Sequence, residues 1–282
     1  MAGKLYVVAT PIGNLDELSP RAVEVLKSVD RIACEDTRTS GVLLRRFDID
    51  TQLIACHKFN ESAATAQLID TMLDRRDVAL ISDAGTPGVS DPGAILVAAA
   101  VGQGIEVLPV TGSCALIAAL SISGYGELSF GFYGFLPKEN KKIVELLNHA
   151  DGDYCPISIF YLSPHRLQQT LKLIAAQWPD AMFCLCNDLT KLHEKTYRGS
   201  PQAVIDAIAQ NPKADRGEYV LIVRKPPRRE QAGQTLSYEA QLIDDIAHNG
   251  GTLKDAVARL ANQGLPRNIL YDASVRVKDF IR

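Results

Sequence analysis

Four polar loops hold most of the residues in this chain that could do chemistry. They are Thr10-Pro11-Ile12-Gly13-Asn14, Glu35-Asp36-Thr37-Arg38, His57-Lys58-Phe59-Asn60-Glu61 and Asp83-Ala84-Gly85-Thr86-Pro87. Between them they offer carboxylates, a guanidinium and an imidazole whose reference pKa lies near neutrality, the groups used for proton transfer and for holding phosphate. The same groups also suit a surface ion-pair cluster, with Asp36 capping a helix. The last loop belongs to a longer stretch, Val78 to Gly93, which starts as an apolar run and breaks into a loop with three glycines, two prolines and two aspartates. Glycine lets the backbone approach a ligand closely and proline stiffens it. Such a loop can hold a small polar molecule by its free N–H and C=O groups.

Several chemistries lack their residues. There is no Ser-His-Asp order, no H-E-x-x-H motif and no Walker lysine, so hydrolase, zinc-protease and P-loop readings have no support. The six cysteines, Cys34, Cys56, Cys114, Cys155, Cys184 and Cys186, form no C-x-x-C. They read as reduced core thiols, and no metal is expected. The net charge of −3 over 282 residues advertises no bulk attraction to nucleic acid, although a local basic patch is compatible with it. The apolar start, Leu5 to Ala9, is too short for a signal peptide, and no stretch approaches a membrane span. A cytoplasmic protein is expected.

The elements that must position the four loops are strands alternating with helices. Apolar runs at Lys4–Ala9, Arg31–Cys34, Gln52–Cys56, Val78–Ser82 and Ile105–Val110 are each followed by a helical pattern. Continuously apolar strands of this kind build a parallel sheet covered on both faces. All its C-terminal strand ends lie on one edge, where open α/β sheets bind ligands. The four loops are therefore expected to converge on one cleft. Residues 1–120 read as this first α/β domain. A glycine- and aromatic-rich hinge then opens a second α/β domain at 121–225, with strands near 157–162, 182–186 and 217–224 and a hairpin element at 196–199. The segment 226–282 begins with a basic, proline-containing linker and continues as a small helical, helix-turn-helix-like module. It carries eight Lys/Arg against seven Asp/Glu, so electrostatics alone make it a weak grip for RNA.

The motifs Pro11-Ile12-Gly13-Asn14-Leu15, Glu35-Asp36-Thr37-Arg38, Ser82 through Gly93 and Val110-Thr111-Gly112-Ser113-Cys114-Ala115, in this order, resemble the tetrapyrrole methylase superfamily. Ser163-Pro164-His165-Arg166, Lys191-Leu192-His193-Glu194, Arg198-Gly199-Ser200-Pro201 and Gly217 through Val223 extend the resemblance over nearly the whole chain. The small-molecule enzymes of that superfamily tend to carry Gly-Asp-Pro in the loop after the fourth strand. Here it reads Gly85-Thr86-Pro87, which resembles the branch that methylates a cytidine ribose 2′-oxygen in 16S rRNA.

The resemblance implies S-adenosylmethionine bound between two α/β domains, a homodimer, and 16S rRNA or the small ribosomal subunit as substrate. Carried over by motif, Gly85, Thr86, Pro87 and Gly88 would hold the methionine end of the donor. Pro11 would line the site, and Ser113, Cys114 and Ala115 would run along the cofactor. Leu162, Asn187, Gly217 and Glu218 would close it from the second domain. Methyl transfer is mostly a matter of positioning, but a ribose hydroxyl benefits from a base. Asp36 is the first candidate for that base, with Arg38 holding it or a phosphate, and His57 is the alternative. Asn14, Glu35, Lys58, Asn60, Arg224 and Arg228 are candidate substrate contacts, or else turn-closing and surface residues. Two rivals stand beside this reading: a small-molecule, tetrapyrrole-type methyltransferase, and a non-catalytic RNA- or nucleotide-binding protein.

Overall fold

The computed structural model describes residues 2–126, 129–152, 155–226 and 237–280. The chain separates into two compact units, Met1–Pro226 and Pro227–Arg282.

The first sheet is built from β1 (Leu5–Val8), β2 (Arg31–Cys34), β3 (Leu53–Ala55), β4 (Val78–Leu80) and β5 (Val107–Val110). Its order is β3-β2-β4-β1-β5 and every pairing is parallel. The crossovers are α1 (Pro20–Ser28), α2 (Thr37–Arg46), α3 (Glu61–Leu73) and α4 (Ala94–Gly102), and α5 (Ala115–Ser123) follows the last strand. Local chemistry sets the helix starts. Ser19 Oγ accepts from the Ala22 N–H at 3.1 Å, and Pro20 occupies the first turn of α1, where its missing N–H costs nothing. The sheet is buried on both faces, as its apolar strands require. Ala79 and Ile81 pack with Leu26 and Leu43 on one side; Val78 and Leu80 pack with Leu68, Met72 and Leu96 on the other. Each such side chain contributes roughly 1.5–3 kcal/mol by leaving water.

The second sheet contains β6 (Phe130–Phe135), β7 (Ile157–Leu162), β8 (Met182–Asn187), β9 (Lys195–Gly199) and β10 (Tyr219–Arg224), in the order β6-β7-β10-β8-β9. Only β6 and β7 run parallel; the other pairs are antiparallel. The expected hairpin at 196–199 is β9 lying against β8. Helices α6 (Asn140–Gly152), α7 (Leu167–Gln177) and α8 (Pro201–Ala209) cover one face through Ile143, Leu171 and Val204. The opposite face is covered from the first half of the chain: Ile12, with Leu116 and Ala119 of α5, packs against Ile157, Ile159, Cys184, Val220 and Ile222. One apolar cluster thus joins the two sheets within the first unit. All six cysteines are free, and Cys184 and Cys186 point to the same face with their sulfurs 4.0 Å apart.

The second unit holds α9 (Tyr238–Asn249), α10 (Leu253–Asn262) and α11 (Arg267–Phe280) around Leu242, Ala256, Leu260, Leu270 and Ala273. Thr252 and Asp255 form a reciprocal cap on α10. Arg259 pairs with the buried Asp245 at 2.5 Å. Among the described residues no helix is long and apolar enough to cross a membrane.

Candidate active site

The C-terminal edge of the first sheet and the strand ends of the second enclose a cavity of about 330 Å³, within the range of small-molecule sites. One wall comes from Ile12, the segment Asp83 to Thr86, Val89 to Asp91, and Cys114 with Ala115. The other comes from Phe135, Tyr161 to Pro164 and Gly217 to Val220.

The first wall is held by its own backbone. Gly85 and Thr10 exchange N–H···O bonds of 3.0 and 2.8 Å, and Thr10 Oγ1 donates to Ser82 O at 3.1 Å. Gly85 takes φ of +87°, a region costly for a residue with a Cβ. Thr86 Oγ1 donates to Ser113 O at 3.1 Å, which ties the loop after β4 to the segment that starts α5. On the second wall, Asp188 pins the turn before β10. Its Oδ1 accepts from Glu218 N at 3.2 Å, and its Oδ2 accepts from Asn187 Nδ2 at 3.0 Å. Gly217 sits at φ +85°, where an added Cβ would collide with the Asp188 carboxylate.

Of the expected donor-binding residues, Gly85, Thr86, Cys114, Ala115, Leu162, Gly217 and Glu218 line this cavity. Pro11, Pro87, Gly88, Ser113 and Asn187 stand outside the lining. Buried Pro11 and Pro87 shape the loops, Gly88 turns the chain at φ +78°, and Ser113 contributes its carbonyl to Thr86. Asn187, only 5% exposed, supports Gly217 and Glu218 from behind through its bond to Asp188.

The other three polar loops share this sheet edge, but of them only the Thr10–Asn14 loop enters the cavity lining, through Ile12. Asp36 caps α2: its Oδ1 accepts from Arg38 N at 2.8 Å. It also forms a two-point pair with Arg38, at 3.1 and 2.7 Å. Those bonds hold its carboxyl down to about 2, which makes it a weak proton acceptor. The backbone N–H of Asp36 donates to Asp83 Oδ1 at 3.2 Å, its one link to a cavity residue. Arg38 keeps its side chain 90% exposed despite the pair. His57 Nδ1 accepts from Phe59 N at 3.3 Å, and Asn60 closes the same turn by accepting from His57 N and donating to Ala55 O. Asn14 caps a short turn, accepting from Asp16 N. Glu35 is half-buried, Lys58 is exposed, and Arg224 lies 5.9 Å from the Tyr125 ring. Arg228 falls outside the described residues.

The sequence reading missed Asp83, Ser90, Asp91, Phe135, Tyr161 and Ser163 as lining residues. The two aspartates stood in the very loop singled out, and their charge was the available signal. Tyr161 and Phe135 lay in apolar strand patterns with no signal of a cavity. Burial, followed by the charges of Glu35 and Asp83, pushes the Asp91 carboxyl up to about 6. Burial also raises Asp83 and Glu35 above their ordinary range. Among the described residues that line the cavity, Asp83, Asp91 and Glu218 carry charge and no Lys, Arg or His does. Glu218 is paired with Lys191 at 3.1 Å, so Asp83 and Asp91 are the carboxylates that suit a ligand bearing positive charge, and Ile12, Val89, Leu162 and Tyr219 suit an apolar or aromatic portion of it. S-adenosylmethionine, with a sulfonium, an ammonium and an adenine ring, fits this chemistry. No group of three or more His, Cys, Asp or Glu among the described residues is placed to hold a metal.

Comparison with known proteins gives the family. The model of the tetrapyrrole (corrin/porphyrin) methylases matches residues 4–204. Proteins named ribosomal RNA small subunit methyltransferase I align over almost the full length. The one from Pseudomonas aeruginosa is 41% identical, covering 98% of each chain. The one from Synechocystis sp. is 39% identical, covering 98% of this chain and 99% of the relative. Among solved structures, diphthine synthase superposes with a TM-score of 0.60 at 12% identity, over 78% of this chain and 89% of that one. Uroporphyrin-III-C-methyltransferase from Thermus thermophilus gives 0.55 at 20%, over 79% and 94%. These two likenesses speak for the fold alone. The chain belongs to the tetrapyrrole methylase family of methyltransferases, alongside the relatives named ribosomal RNA small subunit methyltransferase I.

Proposed function

We propose that the chain transfers a methyl group from S-adenosylmethionine to the ribose 2′-hydroxyl of a cytidine in 16S rRNA, free or within the small ribosomal subunit. It would act as a cytoplasmic homodimer. The observation that carries the donor side of this reading is the cavity joining the two sheets, whose described lining holds carboxylates and no Lys, Arg or His; the RNA side rests on the relatives named ribosomal RNA small subunit methyltransferase I. The donor would supply an electrophilic methyl carbon on a positively charged sulfur, and carboxylates near that charge favour its binding. Gly85 and Thr86 would hold one end of it through backbone fixed by Thr10 and Ser113. Gly217 and Glu218 would close the other side. Near-neighbour placement of donor and acceptor supplies most of the rate.

Arg38, still exposed in its pair with Asp36, would meet an RNA phosphate at the rim, and Asp36 would hold it there. Lys58 and Arg224 are proposed to add positive charge outside the cavity and Arg228 to contact the RNA, with His57, Glu35, Asn14 and Asn60 shaping the rim. The tetrapyrrole-type alternative fits less well, because an acidic tetrapyrrole entering this cavity would meet Asp83 and Asp91 with no cation among the described lining residues.

The test is incubation with labelled S-adenosylmethionine and small subunits or 16S rRNA lacking the modification, followed by nucleoside mapping. The expected product is a 2′-O-methylcytidine. A base-methylated nucleoside would refute the ribose assignment, and absence of transfer to either RNA would refute the function.

A further inference from the structure

We propose that Asp91 is the group that takes the proton from the acceptor hydroxyl as the methyl is transferred, a role that rests on the methyl-transfer reading. Asp91 lines the cavity and is half-buried in the second turn after β4. That turn is rigid. Ser90 and Gly93 take φ of +66° and +127°. Glu61 of α3 accepts from Gly93 N at 2.9 Å and from Ile95 N at 3.4 Å. A Cβ on Gly93 would come within 2.6 Å of Leu80 Cδ2, so the turn lies directly on the core. A base on such a mount keeps its aim.

The surroundings supply the basicity. Burial raises the proton affinity of Asp91 first; Glu35 from the loop after β2 and Asp83 from Asp91's own loop after β4 add to it by charge, and Tyr161 of β7 feels Asp91 in turn. No cation shares the described lining, so ionised Asp91 has no partner there to lower its affinity for a proton. The contrast is Asp36, whose carboxylate is saturated by Arg38 and by the cap of α2.

The step balances. The hydroxyl oxygen forms a bond to the methyl carbon while the carbon–sulfur bond breaks, its electron pair staying on sulfur. The hydroxyl proton passes to the Asp91 carboxylate, and solvent later removes it. A cationic donor and an anionic carboxylate become a neutral thioether and a neutral acid, a favourable exchange in a partly buried site.

Wild type and two variants, Asp91→Asn and Asp91→Glu, would be compared in single-turnover methylation of unmodified small subunits. Donor binding would be followed separately by titration calorimetry with S-adenosylmethionine, and folding by circular dichroism. General-base contributions are of the order of 10²–10⁴-fold. Asp91→Asn is expected to lose at least about 100-fold in rate at saturating donor, with a separate and much smaller loss of donor affinity, about fivefold, from removing one carboxylate near the sulfonium. Asp91→Glu recovers part of the rate. The wild-type rate falls as pH drops below about 6, and the residual Asp91→Asn rate loses that limb. An Asp91→Asn rate close to wild type overturns the role. So does a deficit cured by raising donor concentration, which would make Asp91 a donor-holding residue. A wild type that binds no donor and transfers no methyl sinks the methyl-transfer reading itself, an outcome distinct from active wild type with active Asp91→Asn.

Discussion

The two walls of the cavity are built by different means. The first-sheet wall puts ionisable side chains forward, with Asp83 and Asp91 in the loop after β4, and leaves the backbone of Gly85 bonded to Thr10. The second-sheet wall uses strand ends. Tyr161, Leu162, Tyr219 and Val220 present apolar surface, while Asp188 behind them fixes the turn at Gly217 and Glu218. A parallel sheet frees all its C-terminal ends on one edge, so it can gather polar loops from distant parts of the chain. A mostly antiparallel sheet uses those ends for hairpins and gives a smoother lid. Under the proposed function, the first wall would supply the carboxylates Asp83 and Asp91 and hold one end of the donor, and the second would close over it.

Each side can be broken separately. Among substitutions that leave the cavity open, the largest effect on donor binding is expected from Gly217→Ala, which damages only the second wall. The left-handed φ and the collision with Asp188 cost about 1–3 kcal/mol, read as a roughly 10-fold or greater loss of donor affinity by calorimetry. Unchanged affinity would mean that this turn does not close the site. Thr86→Val attacks the first wall more gently. Losing the bond to Ser113 O costs about 1 kcal/mol, or about fivefold in donor affinity, with rate at saturation preserved.

Ionisation sharpens the contrast further. Asp91 stands at about 6 in the folded protein against an ordinary 3.8. Its ionisation therefore disfavours the fold: the protein loses stability as pH rises through about 6, and the penalty is absent below about 4. Discounted for partial exposure, removing that penalty in Asp91→Asn is worth about 1 kcal/mol. The variant should melt about 2–4 °C higher than wild type at pH 8 and level with it near pH 4. Asp36 has the opposite sign, since its carboxyl is held down by Arg38. The smallest effect belongs to the rim. Arg38→Ala should weaken small-subunit binding about threefold and flatten its salt dependence by about one unit of slope, with donor affinity untouched.

The sequence made the scaffold readable because it obeyed period and chemistry together. Buried parallel strands such as Val78–Leu80 are uniformly apolar, and Ser19-Pro20 and Ser200-Pro201 announce helix starts that the structure contains. Glycine with proline after β4 marks a loop that lines the cavity. The sites of proton chemistry were less legible. Asp36 and Arg38 attracted notice as a dense polar motif, yet two residues of separation let them satisfy each other at a helix cap. Asp91 gains its properties from burial that no local pattern records, and then from the charges of Glu35 and Asp83, the first of them far away in the chain. Asn187, expected at the donor, stands behind the lining and bonds to Asp188, because a residue ending a buried strand faces whichever side the pleat dictates. Tyr161 and Phe135 pack edge to face at 5.3 Å, an arrangement set by strand pairing rather than by spacing along the chain.

The most direct test of a donor held between the two walls is calorimetric titration of S-adenosylmethionine into wild type and Thr86→Trp, with circular dichroism and melting to verify the fold. Thr86 faces the cavity from the first wall, and an indole there fills the space the donor needs. The expected result is saturable binding to wild type and none to a folded Thr86→Trp protein. Equal binding by both, or no binding by wild type, would contradict the placement of the donor in this cavity.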